Sequence, residues 1–218
     1  MVIYSNGKGL SEPCRGAASE TRPLRARNVF VEMADADVML HVQRGSEPAF
    51  AEVYRRHYRR LLDFFYSMSR DAQLAEDLCH ETFLRVWQLR FRYAVTGSFV
   101  AYLFTVARNI WFEHRRVARR EWRWRAVLPI EAEALDAPAH APAPPDELAH
   151  RLEIEGRVFA ALDAMPEEQR MAFVLRTIES LPLEDIARVM GCPVNTVRSR
   201  RLLAITRLRE ALRGLLVL

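Results

Sequence analysis

The chain has 218 residues, with 32 Lys and Arg against 28 Asp and Glu and a formal net charge of +4. That length suffices for one or two small domains with cores of their own. No apolar run approaches the length needed to cross a bilayer, and the opening residues hold no continuous apolar block of a secretory signal. Cys14, Cys79 and Cys192 stand singly with no CxxC pair. This argues for a reducing compartment and against both a disulfide framework and a cysteine zinc site.

Charge is unevenly spread. Residues 102–125 carry seven Arg against two acids, residues 126–150 carry five acids and no Lys or Arg, and residues 181–218 carry seven Arg against three acids. Two basic blocks flanking an acidic stretch suggest two anionic contact surfaces. The near-exclusive use of arginine for positive charge suits phosphate binding, but a GC-rich genome explains it more simply.

Residues 1–32 are rich in Gly, Ser, Pro and Arg and have little periodicity, so a disordered arm is expected. Met33 is an alternative start. A short helix is expected over 35–44, with Val38, Leu40 and Val42 packing and Gly45 stopping it. Ser46 can cap the next helix, and Glu47 and Pro48 suit its first turn. That helix is expected to run to about Ser69. Phe50, Val53, Tyr54, His57, Leu61, Phe64, Phe65 and Met68 trace one apolar face, on which His57 reads as a packed core histidine.

A third helix is expected from Asp71. Leu74, Leu78, Thr82, Phe83 and Val86 face inward; Glu76, Asp77, His80 and Glu81 face out. Carboxylates with a histidine at helical spacing suit a metal site or acid–base chemistry, but a solvated face is the commoner explanation. Residues 89–98 break the pattern. Phe91 and Tyr93 alternate there with Arg90 and Arg92, a pattern that can stack unpaired bases while arginines hold the backbone. The ordinary alternative is a loop whose rings plug the core.

Ser98 can cap a fourth helix, with Phe99, Leu103, Val106, Ala107 and Ile110 inward. Tyr102, Arg108, Asn109, Trp111, His114, Arg115 and Arg116 spread over the rest, a plausible nucleic-acid surface. A membrane-surface helix is disfavoured because the apolar stripe is needed to cover the preceding helices. The Ala/Pro/acid tract over 127–145 reads as an extended linker and domain boundary, whose acids can mask a basic surface. Helical spacing resumes over 146–162. Pro166 opens another helix with Met171, Val174, Leu175 and Ile178 inward.

Residues 181–212 read as two helices around a tight turn. Pro182, Glu184 and Asp185 suit a helix start, Ile186, Val189 and Met190 form its stripe, and Gly191 ends it. Pro193 opens the second helix. Val194, Val197, Ala204, Leu208 and Leu212 pack inward, while Asn195, Arg198, Ser199 and Leu202 point away. A helix-turn-helix pushes that end of its second helix into the major groove, where an arginine can fork to guanine or to phosphate. The expected fold is all-α: two small helical domains joined by a flexible linker, the second containing the helix-turn-helix. The expected bounds are 33–120, a linker over 121–146, and 147–218.

In order and spacing, the segments AFAEVYRRHYRRLLDFF, AEDLCHETFLRVW, GSFVAYLFTVARN, LDAMPEEQRMAFVLR and LEDIARVMGCPVNTVRSR resemble the extracytoplasmic-function (ECF) sigma factors of bacterial RNA polymerase. The resemblance covers residues 35–120 and 147–212. It implies promoter recognition without covalent chemistry, a cytoplasmic location, and core RNA polymerase, promoter DNA and an anti-sigma factor as partners. It implies no cofactor and no metal. Asp77, His80 and Glu81 inherit the polymerase contact, with His80 where the family usually has glutamine. Phe91 and Tyr93 fall on the pocket for a base flipped from the −10 element, as stacking faces or as its walls only. Arg108, Asn109, Arg115 and Arg116 match the DNA-facing helix of that domain. Asn195, Arg198, Ser199 and Leu202 match the −35 reader. Arg201 stands where an apolar residue is usual and must snorkel, and Leu203 stands where an arginine is usual. In the free chain the two domains are expected to pack together or be clamped by an anti-sigma partner. A free-standing helix-turn-helix regulator is the competing reading. An enzyme finds no catalytic triad, phosphate-cradling loop or metal-spaced cluster.

Overall fold

The computed structural model describes residues 29–94, 97–125 and 146–213; side chains are described for these except 122–125, 146–153 and 155. Every regular element among them is helical: α1 (Asp35–Gln43), α2 (Glu47–Ser69), α3 (Ala72–Gln88), a 3-10 turn (Arg90–Arg92), α4 (Phe99–Arg125), α5 (Asp146–Asp163), α6 (Glu167–Thr177), α7 (Leu183–Met190) and α8 (Val194–Leu212). The expected linker and its acids lie largely outside the described residues, as does the arm up to residue 28. Helix α4 runs to Arg125, the end of the basic run read as the fourth helix, and so overlaps the first residues of the expected linker bounds. Residues 29–32 are structured, because Arg56 donates to the carbonyls of Phe30, Val31 and Met33 and ties this segment onto α2.

Side-chain caps set the helix starts. The Ser46 hydroxyl accepts from Ala49 N at 3.4 Å, the Asp71 carboxylate from Leu74 N at 3.1 Å, and the Ser98 hydroxyl from Ala101 N at 3.4 Å. Each satisfies a donor that a helix start leaves unpaired. Gly45 and Gly191 take positive φ where α1 and α7 stop, a conformation that costs glycine nothing. Helices α1 to α4 pack around Val53, Leu61, Phe64, Phe65, Leu78, Phe83, Leu103 and Phe104, all buried. Burying each such side chain contributes roughly 1.5–3 kcal/mol before entropy is counted. His57 is buried on the apolar face, as expected, and its Nε2 lies 2.9 Å from Asp35 Oδ2.

Three packing expectations need correction. Leu40 is exposed and its neighbour Met39 is buried instead. Trp111 belongs to the core, because α4 packs against both α3 and α7 and needs a broader apolar stripe. Ile178 is exposed: α6 stops one residue earlier, and Leu181 turns back to bury itself, its N donating to Leu175 O at 3.0 Å.

The buried Glu52 carboxylate is held by Arg55 and Arg56 at 2.7 Å each. The hydrogen bond from Arg55, then that from Arg56, holds its pKa down to about 2 against the opposing push of burial. A depressed carboxyl contributes stability that is fully present above its ordinary value of 4.5 and is lost as pH falls toward 2. Glu52→Gln is therefore expected to lower stability at neutral pH and to flatten acid unfolding across that window. Urea midpoints at a series of pH values would check this; an unchanged acid limb would contradict it. The buried Cys79 thiol is pushed up to about 12, chiefly by desolvation, which suits an inert core cysteine.

The two halves are docked. Helix α4 lies against α7, and α2 against α6. Arg60 reaches Glu179 at 3.1 Å through its side chain and at 2.9 Å through its carbonyl. Burial raises the Glu179 carboxyl above its usual range despite Arg60. The Arg70 guanidinium stacks 3.6 Å above the Phe159 ring and its Nε lies 3.8 Å from Asp163.

Candidate nucleic-acid interface

Four surfaces carry the residues singled out by sequence. On α3, Asp77, His80 and Glu81 are all exposed and lie on one face, three and four residues apart. Gln73 donates to Asp77 at 3.3 Å, and Arg85 pairs with Glu81 at 2.8 Å. The His80 ring lies beside those of Tyr54 and Tyr58, with centroids at 6.4 and 6.1 Å. Leu84 extends the same face by one turn and is 55% exposed. Its spacing of seven from Asp77 and three from Glu81 is the signal in the sequence that it shares their face. Two acids and an exposed leucine form an amphipathic face suited to a basic-and-apolar protein surface.

Phe91 and Tyr93 have different fates. Phe91 is 69% exposed, while Tyr93 is buried with its edge toward Phe99 and Tyr102 at 5.8 and 5.0 Å. Burial raises the pKa of both tyrosine hydroxyls. Tyr93 and Tyr102 line a surface pocket of about 280 Å³ together with Arg92, Ser98 and Thr105, so Tyr93 is a wall and not a free stacking face. Arg90, one of the two arginines that alternate with these rings in sequence, lies between the Trp87 and Phe91 rings at 4.3 and 4.2 Å and donates to Trp87 O at 2.8 Å. Its cation–π contacts brace the exposed ring.

Along α4, Arg108, Asn109, Arg115 and Arg116 stand at i, i+1, i+7 and i+8, a spacing that returns to one face. Arg108 lies over the Phe112 ring at 5.1 Å and donates to Asn109 at 3.3 Å. Arg115 donates through Nε to Glu167 of α6 at 2.6 Å, and Arg119 reaches the same oxygen at 3.4 Å.

The turn before α8 is tight: Gly191 sits at φ 62°, and Cys192 N donates to Ala187 O at 3.1 Å. It exposes Asn195, Arg198, Ser199 and Leu202 on one face of the opening turns of α8. Arg198 donates to Asn195 Oδ1 and Ser199 to Asn195 O, at 3.3 and 3.0 Å. Opposite them, Val197, Ala204 and Leu208 are buried, the last two against Leu162 and Met165. Arg201 sits half-buried at the edge of this seam with no partner for its Nε. An unsatisfied buried donor is costly. Arg201→Leu is expected to leave the melting temperature unchanged or raise it by roughly 2–4 °C; thermal unfolding that drops by more than this would show that Arg201 holds the seam.

An exposed helix-turn-helix on one helical unit, and a basic helix with an aromatic pocket on another, define a two-domain helical transcription factor. The description "Sigma-70 region 2" matches residues 53–121, and "Sigma-70, region 4" matches residues 156–208. The RNA polymerase sigma-H factor of Pseudomonas aeruginosa is 32% identical over 187 residues, 84% of this chain and 94% of that protein. The ECF RNA polymerase sigma factor SigE of Mycolicibacterium smegmatis is 35% identical over 79% of this chain, which spans 63% of that longer relative. The chain belongs to the sigma-70 family, in its ECF group. Among solved structures, the sigma factor RpoE in complex with the anti-sigma factor NepR from Bartonella quintana superposes with a TM-score of 0.59 at 27% identity, covering 75% of this chain and 96% of that one. CnrH, in complex with the cytosolic domain of CnrY, shares the fold with a TM-score of 0.61 at 21% identity, covering 84% and 99%.

Proposed function

We infer that this protein is a sigma factor that binds core RNA polymerase and directs promoter-specific initiation by reading the −10 and −35 elements. The observation that carries this reading is the pairing of matched region 2 and region 4 segments with separate exposed DNA-facing helices in one chain. The proposed division of labour assigns polymerase and −10 recognition to 33–120 and −35 recognition to 147–218, joined by 121–146. Asp77, His80 and Glu81 take the polymerase. Phe91, Tyr93, Arg108, Asn109, Arg115 and Arg116 serve the −10 element, and Asn195, Arg198, Ser199 and Leu202 the −35 element. The protein acts in the cytoplasm without catalysing a reaction. An anti-sigma factor is its expected regulator, as the sigma factor RpoE from Bartonella quintana is held by one. Among the described residues no helix is long and apolar enough to cross a membrane.

The test is reconstitution with core RNA polymerase. A stable complex without DNA, and defined start sites from a genomic library only when the protein is added, are the expected results. A chain that binds promoter DNA alone but ignores core polymerase would instead be a free-standing helix-turn-helix regulator.

A further inference from the structure

We propose that Arg115 and Arg119 form a clamp for one backbone phosphate of DNA, and that Glu167 fills this clamp in the free chain as an internal substitute for the phosphate. The proposal rests on the reading of α4 as a DNA-facing helix and adds to it a residue, a ligand atom and a mask. One oxygen, Glu167 Oε1, accepts from Arg115 Nε at 2.6 Å and approaches Arg119 Nη2 at 3.4 Å. Two guanidiniums one helical turn apart, converging on a single anionic oxygen, match what a phosphate oxygen requires. Phe112, Arg116 and Arg120 line the same open depression of about 400 Å³, in which Glu167 is the one acid among the described lining residues. Glu167 opens α6, where the helix dipole favours a negative side chain. Its side chain is 15% exposed while that of Arg119 is 70% exposed. An ion pair open to water on one side is weak and salt-screened, so a polyanion can displace it.

A second, independent contact covers the other DNA surface of the same half. Arg188 of α7 lines the pocket beside Tyr93 and Tyr102, its Nη1 2.9 Å from where a Cβ on Gly97 would stand. Asp185 holds that guanidinium at 2.6 Å. The docked second half thus covers the −10 side while its own Asn195, Arg198, Ser199 and Leu202 stay exposed. Among the described residues, the carboxylate set against α4 is Glu167; the tract over 127–145 lies outside them.

The test compares wild type, Glu167→Gln, Arg119→Ala and the double variant. The full free chain is titrated onto a fluorescent non-promoter duplex of about 30 base pairs, and the holoenzyme onto promoter DNA across a salt series. Glu167→Gln is expected to raise the free chain's duplex affinity about threefold to tenfold, and the double variant to lose most of that gain. Arg119→Ala is expected to lower the magnitude of the holoenzyme's log–log salt slope by about one, as loss of one phosphate contact does. Thermal melting excludes misfolding, and Glu167→Asp gives a second variant that retains the charge with a shorter reach. Free-chain affinity unaltered by Glu167→Gln overturns the mask, and an unaltered slope with Arg119→Ala overturns the clamp. If wild type transcribes with core polymerase while these two results fail, the inference falls and the sigma-factor reading stands. If wild type takes no core polymerase, the functional reading falls, whatever the duplex titration gives.

Discussion

Reversing Asp77 and Glu81 together to arginine is expected to abolish binding to core RNA polymerase, with a loss of at least about a hundredfold. Both carboxylates are exposed on one face of α3, and neither touches the buried core formed by Leu78, Phe83 and Val86 on the opposite side. Replacing two attractive charges with two repulsive ones at a docked face costs several kcal/mol, since truncating one charge of a buried interfacial pair already costs about 2–5 kcal/mol. The fold loses little. The Glu81–Arg85 pair is an exposed i,i+4 contact, worth about 0.3–0.5 kcal/mol. Circular dichroism should show unchanged helicity and a melting temperature within a few degrees of wild type, while competition for core polymerase should show no measurable complex. Full binding by this variant would remove the face from the polymerase contact and shift attention to Leu84 and the aromatic pair Tyr54 and Tyr58.

The helix boundaries were legible because each is written in local chemistry. Ser46, Asp71 and Ser98 act as caps, and Gly45 and Gly191 as stops, through groups within four residues of themselves. Periodicity also placed the stripe Val197, Ala204 and Leu208 correctly, because α8 faces one seam. It failed where more than one neighbour covers a helix. Trp111 was put outside the core because a helix with one partner needs only the stripe through Val106 and Ile110, whereas α4 has α3 and α7 to satisfy. Tyr93 and Phe91 stand two residues apart in a segment with no single period, and only the 3-10 turn decides which ring is buried. The meeting of Glu167 with Arg115 across 52 residues has no local signature at all. Opposite charge in sequence does not say which carboxylate reaches which guanidinium.

Arg198→Ala in the holoenzyme is expected to cost roughly 1–3 kcal/mol of promoter binding and to relax preference at one base pair of the −35 element. Arg198 lies in the second turn of α8, exposed, on the side away from Val197 and Ala204. Among the described residues its guanidinium is held by Asn195 Oδ1 at 3.3 Å, a long contact that leaves most of its five donors for DNA. Asn195 thereby lies against Arg198 on the exposed side of α8, and the two side chains are expected to reach the groove together. Arg209 lies eleven residues further along α8, about three turns beyond Arg198. There a groove-inserted helix has left the base edges, and Arg209→Ala should weaken all sequences alike or do nothing. Profiling a library of −35 variants with each holoenzyme separates base reading from phosphate holding, because a lost base contact flattens one column of the preference and a lost phosphate contact lowers every sequence equally. Uniform weakening by Arg198→Ala, with base preference intact, would make this residue a phosphate clamp and leave Asn195 and Ser199 as the readers of the element.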